Sequence, residues 1–152
     1  MEEEAITSPV GSYIALLHQV APGSIGDQMN FAVLEENQSQ GTYTLRCRTM
    51  PWMCNAYGTL HGGMCAAILD QAMGFVAKAR LGDAGVAPTI QMQVNYHRPL
   101  LPGEDVVVHI RVLSETKSLI SMFSEASLAS RPERVCISAT ASSFLKREPK
   151  KN

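Results

Sequence analysis

The chain has 152 residues, with thirteen basic against fourteen acidic side chains and a formal net charge of −1. That length suits one domain with a real core, and the near balance of charge gives no general pull toward nucleic acid or an anionic membrane surface. No apolar run reaches the roughly 20 residues of a membrane-spanning helix, and the start Met1-Glu2-Glu3-Glu4 is the opposite of a signal peptide's basic opening.

The four cysteines (Cys47, Cys54, Cys65, Cys136) have neither C-x-x-C pairing nor a histidine at zinc spacing. They read as reduced, mostly buried thiols of a cytoplasmic protein without a metal site. Residues 1–9, acidic and ending in Ser8-Pro9, are expected to form a loose arm. Val10, Ile14, Leu17 and His18 repeat at helical spacing, so Val10 to Val20 should be a short amphipathic helix, ended by Ala21-Pro22-Gly23-Ser24. Asn30 to Glu35 and Thr42 to Arg48 alternate like strands, with the turn at residues 37–41 between them. Met50-Pro51-Trp52 breaks the second strand. A helix is predicted from Gly62 to about Arg80, then a turn over residues 81–85. Four strands follow: Thr89 to Tyr96, Asp105 to Val112, Leu119 to Leu128 and Val135 to Leu145. Their links are short, which predicts an antiparallel meander. The tail from Lys146 to Asn152 is polar. The fold class is α+β: a twisted six-stranded antiparallel sheet wrapping one long buried helix, with a short helix before it.

The stretch Asn55 to Asp70 carries the chemistry. The helix that it opens is apolar at Leu69, Met73, Val76 and Ala77, and thin at Gly63, Ala66, Ala67, Gly74 and Ala77. Asp70 sits on or beside the thin flank, two turns inside, where an unpaired carboxylate would be costly to bury. At the other end, the first N–H groups of the helix lack intrahelical partners and carry partial positive charge. Gly62 and Gly63 leave them uncovered, so a carbonyl oxygen can sit there, as in an oxyanion hole. Gly62 and Asp70 are roughly 12 Å apart along the axis, whereas reacting atoms must come within about 3.5 Å. If both groups act on one substrate, the second comes from another copy of the helix.

This order of elements around Asn55, His61-Gly62-Gly63, Asp70 and Thr89, with Pro99, Gly103 and Asp105 at the turn between the third and fourth strands, resembles the hot-dog fold. More narrowly it is similar to the phenylacetate-pathway (PaaI-like) and thioesterase superfamily member 2-like acyl-CoA thioesterases. The resemblance covers residues 27–146, leaving residues 1–26 as an arm with a short helix and residues 147–152 as a polar tail. It implies hydrolysis of an acyl-CoA to free acid and CoA, without cofactor, in a homodimer that pairs further into a dimer of dimers. Gly62 would donate its N–H to the thioester carbonyl, with Gly63 beside it at the substrate. Asp70 of the opposite subunit would be nucleophile or general base, Asn55 would orient water or substrate, and Thr89 would hold the water. His61 would shape the loop by hydrogen bonding rather than act as a base. Each has a plainer reading: Asn55 as a loop cap, Thr89 as an ordinary strand residue, Asp70 as a structural hydrogen-bonding group. CoA carries phosphates, so a basic rim is expected, with Arg98, Lys117 and Ser118 as candidates. Met53, Tyr57, Met64, Met73 and Met92 are candidates to line the acyl chain.

Two other functions fit the same fold. An enoyl-CoA hydratase resembles a pattern with a histidine a few residues from the aspartate, and no histidine follows Asp70 before His97. A non-catalytic acyl-CoA sensor usually carries a DNA-binding segment, and the acidic arm has the wrong charge for one.

Overall fold

The computed structural model describes residues 8–82 and 84–149. The expectations for the first seven residues, for Asp83 and for residues 150–152 lie outside the described residues. The first helix, α1 (Pro9–Val20), starts where its chemistry dictates. The Ser8 hydroxyl accepts the Gly11 N–H at 3.0 Å, and Pro9 takes the first helical position, where no N–H is needed. Val10 and Ile14 are buried as their spacing predicts. A four-residue helix, α2 (Ile25–Gln28), follows under a Ser24 cap; so short an element leaves no periodicity in the sequence to predict it.

The strands are β1 (Ala32–Asn37), β2 (Thr42–Arg48), β3 (Thr89–Tyr96), β4 (Asp105–Glu115), β5 (Leu119–Leu128) and β6 (Ile137–Phe144), with the long helix α3 (Gly62–Leu81) between β2 and β3. β1 begins two residues later than its alternation suggests, because Asn30 adopts a positive φ of 47° as the chain leaves α2. Gly41 closes the β1–β2 turn at φ 65°, and a Cβ there would stand 3.1 Å from Val112 Cβ, so this turn needs glycine on both counts.

All strand pairs are antiparallel and the order across the sheet is β1-β2-β4-β5-β6-β3. The expected four-strand meander is therefore corrected: β4, β5 and β6 form one, but β3 pairs with β6 and lies at the far edge, while β2 pairs with β4. Residues 97–104 join β3 to β4 across the ends of β5 and β6. Eight extended residues reach roughly 26–29 Å, ample for three strand spacings of about 4.8 Å each. A short link thus did not require adjacency.

The sheet curls around α3, which packs against β2, β3, β4, β5 and β6 and carries α1 on its back. Ile68, Leu69, Ala72, Met73, Phe75, Val76 and Ala77 are all essentially inaccessible. Phe75 meets Phe31 and Tyr13 edge to face, at centroid distances of 5.5 and 5.9 Å. This is the helix-in-sheet arrangement of the hot-dog fold. One flank of α3 stays partly open, at Gly62, Gly63, Ala66, Ala67, Asp70 and Gly74. Beside it β3 is exposed at most positions, with one edge unpaired among the described residues. No helix among the described residues is long and apolar enough to cross a membrane, and no group of three or more potential metal ligands occurs among them. All four cysteines are free; burial pushes the Cys47 thiol up to about 12 and the Cys65 thiol up to about 11, so neither is a ready nucleophile.

Near α2, His18 gives a ring N–H to Asp27, whose other oxygen accepts the Gly23 N–H at 2.6 Å. The hydrogen bond from His18, then that from Gly23, holds the Asp27 carboxyl below its usual value of 3.8. A depressed carboxyl stabilises the fold above its unfolded pKa, and that contribution is lost as pH falls through the folded value. Asp27→Asn should therefore lower the denaturant midpoint at pH 7, with the difference from wild type closing below about pH 4. Phe75→Ala, which empties the junction of α1, β1 and α3, should cost about 3–5 kcal/mol in the same unfolding assay.

Candidate active site

The site is built where the chain enters α3. Cys54 bridges to Leu60, so residues 55–59 fold back as a small loop with Tyr57 at its exposed tip and Gly58 at φ 79°. Asn55 organises it: its Oδ1 accepts the Tyr57 N–H at 2.9 Å and the Thr59 N–H at 3.2 Å, and its Nδ2 donates to Thr59 Oγ1 at 2.9 Å. The plain reading of Asn55 as a loop cap is thus present, and one of its two amide hydrogens remains for another acceptor. Two backbone bonds fix the approach to the helix, from His61 N–H to the Met53 carbonyl at 2.8 Å and from Leu60 N–H to the Leu100 carbonyl at 2.9 Å.

The first N–H groups of α3 can be accounted for one by one. His61 is the N-cap; its Nδ1 accepts the Gly63 N–H at 2.9 Å, which leaves the ring proton on Nε2. The His61 carbonyl accepts from Met64 at 2.9 Å and Cys65 at 3.0 Å. The Gly62 N–H has no acceptor among the described residues. One donor, with the dipole of a twenty-residue helix behind it, is left for an incoming oxygen. Gly63 does not add a second, since His61 uses its N–H; its value is the missing side chain, because a Cβ there would press to 3.1 Å from the capping His61 Nδ1. The hydroxyl of Tyr96, at the end of β3, donates to the Gly62 carbonyl at 2.7 Å and holds the strand end over the helix start. Sequence reasoning missed Tyr96, as nothing in its spacing marks a strand tyrosine for a helix carbonyl.

At the other end of the open flank, Asp70 is half-buried and its Oδ1 accepts the Thr89 hydroxyl at 2.8 Å. Thr89 opens β3 at a β-bulge, where pairing with β6 shifts between Thr89 and Gln91. The structure thus brings Asp70 and Thr89 together, with His61 and Gly63 engaged at the opposite end. Within one chain it keeps Asp70 and Gly62 apart, as the helical rise requires.

The basic candidates also separate. Arg98 follows the Tyr96 end of β3 and donates to the Val135 carbonyl at 2.8 Å. Lys117 and Ser118 lie in the β4–β5 hairpin near the Thr89 end, since Leu119 pairs with Phe144 and Thr89 with Ser143. From Thr89 to Tyr96 the strand rises roughly 23 Å. Of the acyl-lining candidates, Met53 and Met73 are fully buried core, Met64 and Met92 are half-buried, and Tyr57 is 92% exposed.

A family model described as thioesterase superfamily matches residues 57–141, more than half of the chain, and that span contains Gly62, Asp70 and Thr89. The chain belongs to the thioesterase superfamily. Acyl-coenzyme A thioesterase 13 from Homo sapiens and from Pongo abelii is 39% identical to it over 67 residues, 43% of this chain and 46% of each relative. The match spans less than half the length of these curated relatives. Among solved structures, a phenylacetic acid degradation-related protein from Ralstonia eutropha JMP134 aligns with a TM-score of 0.75 at 19% identity, covering 87% of this chain and 98% of that one. Thioesterase superfamily member 2 from Mus musculus gives 0.71 at 14% identity, covering 90% and 94%. A Streptococcus mutans protein bound to acetyl CoA gives 0.67 at 20% identity, covering 80% and 92%. At these identities the structural likeness speaks for the fold: this superfamily member has the hot-dog fold.

The cap can be tested apart from catalysis. His61→Ala should lower stability by about 0.5–2 kcal/mol, whereas His61→Asn, which keeps an acceptor at the N-cap, should retain most of it. Denaturant unfolding of the two variants checks this.

Proposed function

We propose that this chain is an acyl-CoA thioesterase whose active site is completed by a second copy. The observation that carries the reading is the single open donor at Gly62, at the head of a helix that also bears Asp70 on its open flank. The Gly62 N–H takes the thioester carbonyl oxygen and gains strength as negative charge builds on it. Asp70 of the second copy takes a proton from water, whose oxygen attacks the carbonyl carbon, or attacks that carbon itself to form an anhydride that water then opens. The C–S bond breaks either way, CoA leaves as the thiol, and the acid is released. Thr89, hydrogen-bonded to Asp70, keeps hydroxyl lone pairs to receive a hydrogen from that water. Asn55 offers its remaining amide hydrogen to the water or the substrate.

The unpaired edge of β3 supports the two-copy arrangement, as an exposed strand edge with Ile90 and Tyr96 on it is a template for another strand. Set antiparallel, two β3 strands bring the Gly62 end of one copy to the Asp70 end of the other. The same pairing puts Arg98 of one copy on the side of Lys117 and Ser118 of the other, so the basic candidates that one chain separates come to the same mouth. Residues 27–146 form the catalytic unit, working in the cytoplasm as a dimer that pairs again.

The test is release of thiol from a panel of aryl, short-chain and long-chain acyl-CoAs. Asp70→Asn keeps the oxygen that accepts from Thr89 and removes the charge. It should lower kcat by about 10²–10⁴-fold, the usual contribution of a positioned base, with the unfolding midpoint near wild type. Hydrolysis by Asp70→Asn at the wild-type rate would sink the proposal.

A further inference from the structure

Tyr96 ends β3 with 56% of its surface exposed, and its hydroxyl donates to the Gly62 carbonyl at 2.7 Å. Neither partner needs this bond to escape being orphaned. A carbonyl in the first turn of an α-helix already accepts the N–H four residues on, and an exposed phenol can bond to water. What the bond changes is position.

The position it fixes is the least constrained in the site. Two glycines in succession open α3, and glycine leaves the backbone more freedom than any other residue. The Gly62 N–H has no acceptor among the described residues, so only its neighbours hold it. On one side the His61 N–H is tied to the Met53 carbonyl, and the His61 carbonyl receives Met64 and Cys65. On the other, the Gly63 N–H goes to the His61 ring, which belongs to the same short motif. Among the described residues, Tyr96 supplies the one side-chain hydrogen bond that ties Gly62 to a distant part of the chain.

The tyrosine is itself anchored. It pairs with Ile137, and the next two N–H groups, of His97 and Arg98, donate to the Cys136 carbonyl at 2.8 and 2.9 Å. Its ring lies beside the glycine, with two carbons and the hydroxyl oxygen each 3.6 Å from where a Cβ of residue 62 would stand. The ring packs against the helix start, and the hydroxyl locks it to the sheet.

We propose that Tyr96 is a positioning residue, whose hydroxyl holds Gly62 so that the open N–H is aimed at the thioester oxygen before the substrate arrives. The inference rests on the thioesterase reading and adds the residue that aims its donor. The carbonyl carbon held by this N–H must also meet Asp70 of the second copy, so the aim has to be accurate. A misplacement of about 1 Å at a reacting centre can cost about 10²-fold in rate. The remainder of the substrate binds without reference to this bond, so the loss falls on kcat and not on KM.

The experiment uses Tyr96→Phe, which keeps the ring beside Gly62 and removes the hydroxyl, and Tyr96→4-aminophenylalanine, which restores a donor. In the thiol-release assay Tyr96→Phe should lower kcat at least fivefold with KM within twofold of wild type. The amino analogue should recover most of that loss. A smaller fall in kcat, a loss carried by KM, or a loss that the analogue does not restore overturns the proposal. Nuclear spin relaxation of ¹⁵N-glycine-labelled protein separates this from failure of the thioesterase reading. The Gly62 N–H should have an order parameter of about 0.85 in the wild type and of about 0.6 or below in Tyr96→Phe. That fall supports the positioning role even if no thioester is hydrolysed, and equal order parameters overturn it whatever the hydrolysis assay gives.

Discussion

A helix that is apolar around most of its circumference has to be surrounded. In α3 the fully buried positions Ile68, Leu69, Ala72, Met73, Phe75, Val76 and Ala77 cover far more than a single stripe, so one flat sheet cannot satisfy them. The sheet must curl, and α1 must cover the side that the sheet leaves. That enclosure leaves only the thin flank, where Gly62, Ala66, Ala67, Asp70 and Gly74 meet the open edge of β3. The site is what remains of the helix surface once its core demand has been met.

Much of this was legible. The bounds of α3 and of β2, β3 and β5 follow from periodicity, because each has a long regular pattern ended by glycine, proline or a polar turn. The strand order was not. Alternation tells which face of a strand is buried, not which neighbour it pairs with, and an eight-residue link is long enough to skip past two strands. The onset of β1 was misplaced for a local reason, the positive φ of Asn30, which alternation does not register.

The chemistry was partly legible as well. The sequence identifies the helix start as a donor site, but two glycines in a row look equivalent there. Only the cap distinguishes them: His61 spends its Nδ1 on Gly63 and leaves Gly62 open. The partnership of Asp70 and Thr89 joins residues nineteen apart and was expected only through the family resemblance. Tyr96 carried no signal, since its meaning comes from the pairing that sets the end of β3 beside the start of α3.

The bulge at the start of β3 has a consequence in parity. Met92 and Val94 pack against the core, so even-numbered positions face the helix, and Tyr96 reaches Gly62 from that side. Thr89 is odd-numbered, and in an uninterrupted strand it would point to the outer face with Gln91, Gln93 and Asn95. The slip between Thr89 and Gln91 turns it inward, so both hydroxyls of the strand grip the same helix, one at each end. The pair at Asp70 therefore hangs on one supernumerary residue. Pairing that residue in register instead of bulging it would move Thr89 one place along β6 and send its hydroxyl to the wrong side of the sheet, while leaving every side chain of the site chemically intact.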